Sequence, residues 1–124
     1  MMNRTKHLAA VTVATASLAL AAPAFAGQTA ATPLAGAVGP GFTITLMKSG
    51  KAVKTLKPGS YAITVKDKSS QHNFHIFGPG VKNVVTTVPF VGTKRVTVTL
   101  KKGTYTVQCD PHASSGMKFT FKVS

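Results

Sequence analysis

The last two thirds of this 124-residue chain consist mainly of short runs in which apolar and polar residues alternate. The runs lie at residues 42–46, 61–65, 96–100, 105–109 and 119–123, and Gly or Pro residues separate most of them. A period of two places successive side chains on opposite faces of a β-strand, so each run predicts a strand with one buried and one solvated face. No amphipathic helix is predicted after residue 26. The pattern therefore predicts an all-β fold, a two-sheet antiparallel Greek-key sandwich.

Two of the turns between these runs repeat one pattern. Residues 55–61 are TLKPGSY and residues 99–105 are TLKKGTY. Each reads as the end of a strand, a tight Gly turn and the start of a strand at Tyr. We expect each Tyr hydroxyl to hydrogen-bond back over its own turn, as in the corners of Greek-key sandwiches.

The first 26 residues have the features of a secretory signal peptide. Arg4 and Lys6 precede an apolar run over residues 8–22, and the small residues Ala24 and Ala26 supply a cleavage pattern. The alternative is a membrane anchor, which fits less well because the run is diluted by Ala and Thr and is near the lower length limit for a bilayer span. We expect an exported bacterial protein, located in the periplasm, outside the cell or in the cell envelope.

The remainder of the chain is divided into two parts. Residues 27–41 consist largely of Gly, Ala, Thr and Pro without a period, so we interpret them as a flexible leader. Residues 42–124 carry the alternating runs and are the length of one small domain. No later segment is apolar enough to span a membrane, so we expect no transmembrane segment in the mature chain.

Positive charge dominates the composition. The chain has 15 Lys and Arg residues against two acids, Asp67 and Asp110, and a formal net charge of +13. A field of this sign favours encounters with acidic partners, such as an acidic redox protein or an anionic envelope polymer. The lysines are scattered and no basic motif is interleaved with aromatic residues, so we do not expect nucleic-acid binding. A solvated basic surface without a steering role is the alternative.

The only cysteine begins a segment that holds three potential metal donors. Residues 109–117 are CDPHASSGM, with Cys109, His112 and Met117 as donors. One cysteine cannot form an internal disulfide, and a metal–thiolate bond explains its presence in an exported domain better than a buried inert thiol does. Two imidazoles, a thiolate and a weak axial thioether are the donor set of blue-copper electron-transfer sites.

A second imidazole is available from either His72 or His75. His72 shares strand parity with Phe74 and Ile76, whereas His75 has the opposite parity. If Phe74 and Ile76 are core residues, His72 points inward and His75 points outward. We therefore prefer His72 as the ligand and keep His75 as the alternative. By the same parity argument Cys109 faces inward.

These residues resemble the copper site of plastocyanin-like cupredoxins, which have a His-Asn pair after one strand and a Cys-x₂-His-x₄-Met loop before the last strand. The chain has both, and the resemblance covers residues 42–124. It implies a cupredoxin-like domain with one type 1 copper ion. The implied ligands are His72, Cys109 and His112, with Met117 as the axial ligand. It also implies that Asn73 hydrogen-bonds across to the Cys109 loop and orients the ligands.

The function expected from this resemblance is that of an exported one-electron carrier shuttling between Cu(I) and Cu(II). The alternative is a copper carrier or storage protein of the cell envelope without a role in electron transfer. A metal-free adhesion or scaffold sandwich is a third hypothesis, and the same donors would also bind zinc. The chain has no carboxylate pair and no fixed general base, so we do not expect an enzyme. We expect a monomer with an acidic redox partner, and electron exit at the His112 edge among Pro111, Pro79 and Phe90.

Overall fold

The computed structural model describes residues 9–21 and 29–124. It contains ten strands: β1 (Thr32–Val38), β2 (Ile44–Lys48), β3 (Lys51–Ala52), β4 (Thr55–Leu56), β5 (Gly59–Asp67), β6 (Phe74–Gly78), β7 (Val81–Thr86), β8 (Gly92–Leu100), β9 (Gly103–Gln108) and β10 (Lys118–Val123). One 3₁₀ helix, η1 (Asp110–Ser115), connects β9 to β10. All five alternating runs of the sequence fall in or beside strands.

The strands form two five-stranded sheets that enclose one core. The first sheet has the order β3-β2-β1-β5-β8 and the second has the order β4-β10-β9-β6-β7. The largest fully buried side chains come from both sheets: Leu46, Ile63, Phe74, Ile76, Leu100, Tyr105 and Phe121. The predicted two-sheet sandwich is thus confirmed. Most pairings are antiparallel, but β1–β5 and β4–β10 are parallel, so each sheet is mixed.

Strand β1 corrects the division of the chain made from the sequence. Residues 27–41 were predicted to be a flexible leader, which is wrong for residues 32–38, because β1 lies between β2 and β5 in the centre of the first sheet. Leu34 and Val38 are buried, and between them Gly36 also faces inward. A Cβ atom on Gly36 would lie 3.0 Å from the Phe74 ring. Gly36 has no side chain, so it leaves room for the Phe74 ring. For the same reason residues 32–38 do not show the alternation of apolar and polar side chains by which the other strands were predicted.

The amino-terminal predictions fall largely outside the described residues. The start of the predicted signal peptide, residues 1–8, and its cleavage site, within residues 22–28, are not described, and residues 9–21 form neither helix nor strand. Among the residues that the structure describes, no helix is long and apolar enough to cross a membrane.

The turns divide between two ends of the sandwich. The segments 39–43, 68–73, 87–91 and 109–117 lie at one end, and the turns at 49–50, 57–58, 79–80 and 101–102 lie at the other. Both predicted tyrosine corners are at the second end. The Tyr61 hydroxyl donates to the Lys57 carbonyl at 2.6 Å. The Tyr105 hydroxyl lies 3.0 Å from the Lys101 carbonyl and accepts a hydrogen bond from the Lys101 amide at 2.9 Å.

Candidate metal centre

One sulfur and two imidazole nitrogens meet at the first end of the sandwich. Cys109 Sγ lies 3.7 Å from His72 Nδ1 and 3.5 Å from His112 Nδ1, and the two nitrogens are 3.0 Å apart. His72 and Cys109 are buried, and His112 is partly exposed. The three residues come from different elements: His72 precedes β6, Cys109 follows β9, and His112 lies in η1. The fold therefore brings together three of the four donors predicted from the sequence.

The loop that carries Cys109 and His112 is closed by its own backbone. The Cys109 amide donates to the Met117 carbonyl at 3.0 Å, and the Met117 amide donates to the His112 carbonyl at 3.2 Å. Pro111 lies in the first turn of η1, where its missing N–H costs no hydrogen bond. Gly116 ends the helix with φ of 95°, a left-handed conformation that favours glycine. The chain can then turn directly into β10.

Met117 is the fourth predicted donor. Its side chain is buried in the core, as its strand parity with Phe121 and Val123 indicates. Its backbone bonds to both Cys109 and His112, so it is held at the base of the same loop. Its position in the fold is therefore consistent with a ligand that approaches the site from the core side.

The loop that delivers His72 is shaped by side-chain to backbone hydrogen bonds. The buried Asp67, at the end of β5, accepts a hydrogen bond from the Ser69 amide through Oδ1 at 3.1 Å. The Ser69 hydroxyl oxygen then accepts one from the Gln71 amide at 3.1 Å. Short polar side chains commonly hold turns in this way. The two successive turns bring the chain to His72, two residues before β6 begins at Phe74.

Asn73 joins the two ligand-bearing loops. Its Nδ2 donates to Asp110 Oδ2 at 2.9 Å, and its Oδ1 accepts from the Asp110 amide at 2.7 Å. Asn73 follows His72 in the chain, and Asp110 follows Cys109. The predicted bond from Asn73 across to the Cys109 loop is thus present in the structure, and it is doubled.

His75 lies outside this group of donors. Its Nδ1 donates to Asp110 Oδ1 at 2.9 Å on the outer face of the second sheet, and Gln108 Nε2 donates to the same oxygen at 2.9 Å. Burial raises the pKa of the Asp110 carboxyl, but hydrogen bonds from Gln108, His75 and Asn73, with the charge of His75, outweigh burial and lower that pKa. His75 thus orients Asp110, and of the two candidates for the second imidazole, His72 and His75, the structure places His72 beside Cys109.

Phe42 covers both imidazole rings of the site. Its ring centroid lies 4.8 Å from that of His112 and 5.5 Å from that of His72, both in edge contacts. The alternation of residues 42–46 predicted Phe42 as an inward strand residue, which is wrong. β2 begins at Ile44, and Phe42 is 64% exposed in the preceding loop. Hydrogen bonds between Gly39 and Thr43 close that loop.

The surface patch predicted around His112 is corrected at one residue, Pro79. Pro111 adjoins His112 in η1, as expected. Pro79 lies at the opposite end of the sandwich, where its carbonyl is 3.0 Å from the Tyr105 hydroxyl. Phe90 lies in the 87–91 segment at the metal-site end, and its ring lies beneath Lys94, whose Nζ is 4.8 Å from the ring centroid. The sequence contained no signal that Phe42 would cover the two imidazoles. A short alternating run does not show which of its residues precede the strand.

The three nearest donor atoms match the dimensions of a metal site. A point equidistant from Cys109 Sγ and the two Nδ1 atoms lies about 2 Å from each, close to metal–imidazole bond lengths. A thiolate, two imidazoles and a nearby thioether are soft and borderline donors, which favour copper. The residues therefore fit a single copper ion.

Comparison with protein families gives a match at this site and through the fold. Residues 38–124 match the family described as copper binding proteins, plastocyanin/azurin family. A search of curated proteins gives no significant match.

Solved structures resemble about three quarters of the chain. A structure of reduced rusticyanin is 26% identical with a TM-score of 0.52, and covers 74% of this chain and 78% of its own. Rusticyanin from Thiobacillus ferrooxidans is 27% identical with a TM-score of 0.50, over 74% of this chain and 76% of its own. A multi-copper oxidase from Pediococcus acidilactici shares the fold at 15% identity and a TM-score of 0.50, over 78% of this chain and 26% of its own.

Proposed function

Since this chain belongs to the plastocyanin/azurin family of copper-binding proteins, it is a type 1 copper electron carrier, and we propose which residues hold the ion and exchange the electron. The proposed ligands are His72, Cys109, His112 and Met117. The observation that carries this assignment is the convergence of Cys109 Sγ and the two Nδ1 atoms within 3.7 Å of one another. The family match confirms the resemblance and the copper cofactor predicted from the sequence.

Bound copper supplies the one-electron chemistry, as Cu(I) and Cu(II). The protein's contribution is to hold the donors in one arrangement in both states. Cys109 is buried, the amide and carbonyl groups of Met117 close its loop, and Asn73 ties that loop to the His72 segment. A site held from three sides changes little when its charge changes, and this favours rapid electron exchange. It also argues against ready release of the ion to another protein.

Electron exchange takes place, in this proposal, at the surface formed by Phe42. His72 is buried and His112 only partly exposed, and the exposed Phe42 ring contacts both. A partner that docks at this end of the sandwich meets the exposed Phe42, and beside His112 in the chain the exposed Pro111, before it meets the buried His72. Exposed aromatic side chains at the centre of a contact are typical binding hot spots.

The remaining parts of the proposal concern partners and location. Phe42 at the metal-site end and the net positive charge favour an acidic redox partner that brings its own apolar patch. The donor set and the absence of a carboxylate pair from the sequence support a carrier that is not an enzyme. Arg4, Lys6 and the apolar run after them support export by a signal peptide. We propose that the exported protein acts as a monomer.

The visible absorption spectrum after addition of Cu(II) tests the ligand assignment. We expect an intense blue thiolate-to-copper band in the wild-type protein and its loss in Cys109→Ser. The band should also be lost or strongly shifted in His72→Gln, because that change removes one of the nitrogens beside the sulfur.

His75→Gln is the matched control, since it removes an imidazole three residues away that bonds to Asp110. We expect its blue band to be unchanged. Loss of the band in His75→Gln with retention in His72→Gln would reverse the choice of ligand. A colourless wild-type protein that retains no copper would contradict the assignment as a whole.

A further inference from the structure

Seven lysines surround the end of the sandwich that is opposite the metal centre. They are Lys48, Lys51, Lys57, Lys82, Lys101, Lys102 and Lys122, and all are exposed. We call this surface the basic end. It carries seven of the 15 Lys and Arg residues of the chain. These lysines lie in or beside four neighbouring turns and the end of β10.

Strand pairing brings these lysines together. Gly59 pairs with Leu100, so the turn with Lys57 lies beside the turn with Lys101 and Lys102. Lys48 and Lys57 both line an open cavity of about 830 Å³ whose other lining residues include Thr32, Thr55 and Ser60. Leu56, Pro58 and Tyr61 line the cavity too, so it presents ammonium and hydroxyl groups, the donors that bind anionic oxygen atoms, beside apolar ones.

Lys101 and Lys122 extend this surface to the second sheet. Lys101 Nζ lies 3.9 Å from the point where a side chain on Gly80 would begin, and Lys82 follows two residues later. Lys122 pairs with Thr104, directly after the turn that carries Lys101. The basic end thus covers the edges of both sheets.

No acidic side chain balances these charges. Asp67 is buried at the end of β5 and Asp110 follows β9, so both acids of the chain lie at the metal-site end. The one ion pair in the described part of the chain is between His75 and Asp110. The positive charge that no acid balances is consequently greatest at the basic end, away from Phe42.

We propose that the basic end binds a linear polyanion with repeating phosphate groups other than a nucleic acid, for which the chain has no basic motif interleaved with aromatic residues, and that this leaves the metal-site end free for electron exchange. The inference rests on the layout of charge and is independent of the copper ligands. Outside residues 9–21, the large apolar side chains exposed in the described chain are Phe42, Val84 and Val91, none of them at the basic end.

A specific protein partner usually requires a desolvated apolar or aromatic centre, and among the described residues no large apolar side chain is exposed at the basic end. A polyanion needs only distributed cations, because it is bound through release of its counterions. Lysines suit this role, since each is a flexible point charge that does not require a fixed bidentate partner. A lipid surface would gain no inserted apolar group here.

Binding of the purified protein to inorganic polyphosphate, measured over a range of salt concentrations, tests the proposal. The test variant is Lys57→Gln/Lys101→Gln/Lys102→Gln. The matched control is Lys66→Gln/Lys68→Gln/Arg95→Gln, which removes the same charge from exposed residues nearer the metal-site end. The test variant should bind about tenfold or more weakly at low salt and lower the slope of log K against log salt by about 2. The control should change both quantities much less.

Four outcomes would overturn the proposal. The first is equal weakening of polyphosphate binding by the two triple variants, because binding would then depend only on net charge. The second is absence of binding by the wild-type protein at 0.1 M salt. The others are salt-independent binding, which would indicate an apolar contact, and binding to vesicles of anionic phospholipid without binding to polyphosphate. Urea unfolding of all three proteins shows whether the substitutions leave the fold intact, and the copper spectrum separates this test from that of the ligands.

Discussion

Asn73 and Asp110 hold each other through two hydrogen bonds, of 2.9 Å from Nδ2 to Oδ2 and 2.7 Å from the Asp110 amide to Oδ1. Each residue directly follows a proposed copper ligand, His72 or Cys109. The pair therefore sets the distance between a loop of one strand connection and a loop 37 residues later in the chain. Bonds of this kind behind the ligands orient a metal site before the metal arrives.

Replacement of Asn73 should destabilise the copper-free protein. Asn73→Ala removes both hydrogen bonds, one of them to a carboxylate, and we expect a loss of about 2 kcal/mol in the free energy of unfolding in urea. Gln108→Ala is the control, because Gln108 donates to the same carboxylate from a more exposed position. We expect it to cost less than about 0.5 kcal/mol. Equal losses in the two variants would show that the link between the loops contributes nothing particular.

Replacement of Phe42 should slow electron exchange without removing the copper site. In Phe42→Ala the ligands remain, so the blue band should persist. Loss of an aromatic group from the centre of the contact should slow exchange with a docked partner, or between two copies, about tenfold. Val84→Ala, at an exposed apolar residue on the second sheet, serves as the control. If both variants exchange electrons at the wild-type rate, the docking surface is not centred on Phe42.

Addition of a methyl group at Gly36 tests the placement of β1 in the core. The Cβ of Gly36→Ala would lie 3.0 Å from two carbons of the Phe74 ring and 3.0 Å from Val65 Cγ2. We expect a cost of about 1–3 kcal/mol, as for other overpacked cores. Gly41→Ala meets no atom within 4 Å and should be nearly neutral. Wild-type stability of Gly36→Ala in urea unfolding would contradict the central position of β1.

The Asp110 carboxylate should make stability depend on pH in the acid range. Its pKa is lowered in the folded protein, so its contribution to the free energy of unfolding is complete above the unfolded pKa of about 4. That contribution is lost as the pH falls through the folded pKa. Unfolding of the copper-free protein between pH 6 and pH 3 should therefore show a steeper loss in the wild type than in Asp110→Asn. Parallel curves would contradict the assignment.

Much of the site was predictable because its donors are close in sequence. Cys109, His112 and Met117 lie on one loop, and strand parity alone predicts that His72 points inward and His75 outward. The bond from Asn73 to the Cys109 loop followed from the family resemblance. The second bond from Asp110, and the attachment of His75 to its carboxylate, depend on two loops meeting in space.

The surface around the site was not predictable in the same way. The Phe42 run has the period of a strand, but its place over the two imidazoles depends on how the 39–43 loop closes. Pro79 was expected near His112 and lies at the other end, because β6 carries the chain the full length of the sandwich after His72. Local patterns do not specify such long-range neighbours.

The sequence by itself determined the sandwich class, the inward faces of most strands and the set of candidate metal donors, since the period of two and the spacing of these residues on one loop are local properties. The tertiary structure alone decided that residues 32–38 form a central strand, that β1 runs parallel to β5, and that Phe42 covers the site. It also decided that seven lysines from separate turns form one surface. The physical reason is that each of these depends on residues far apart in the chain, whose contacts form only when the two sheets pack together.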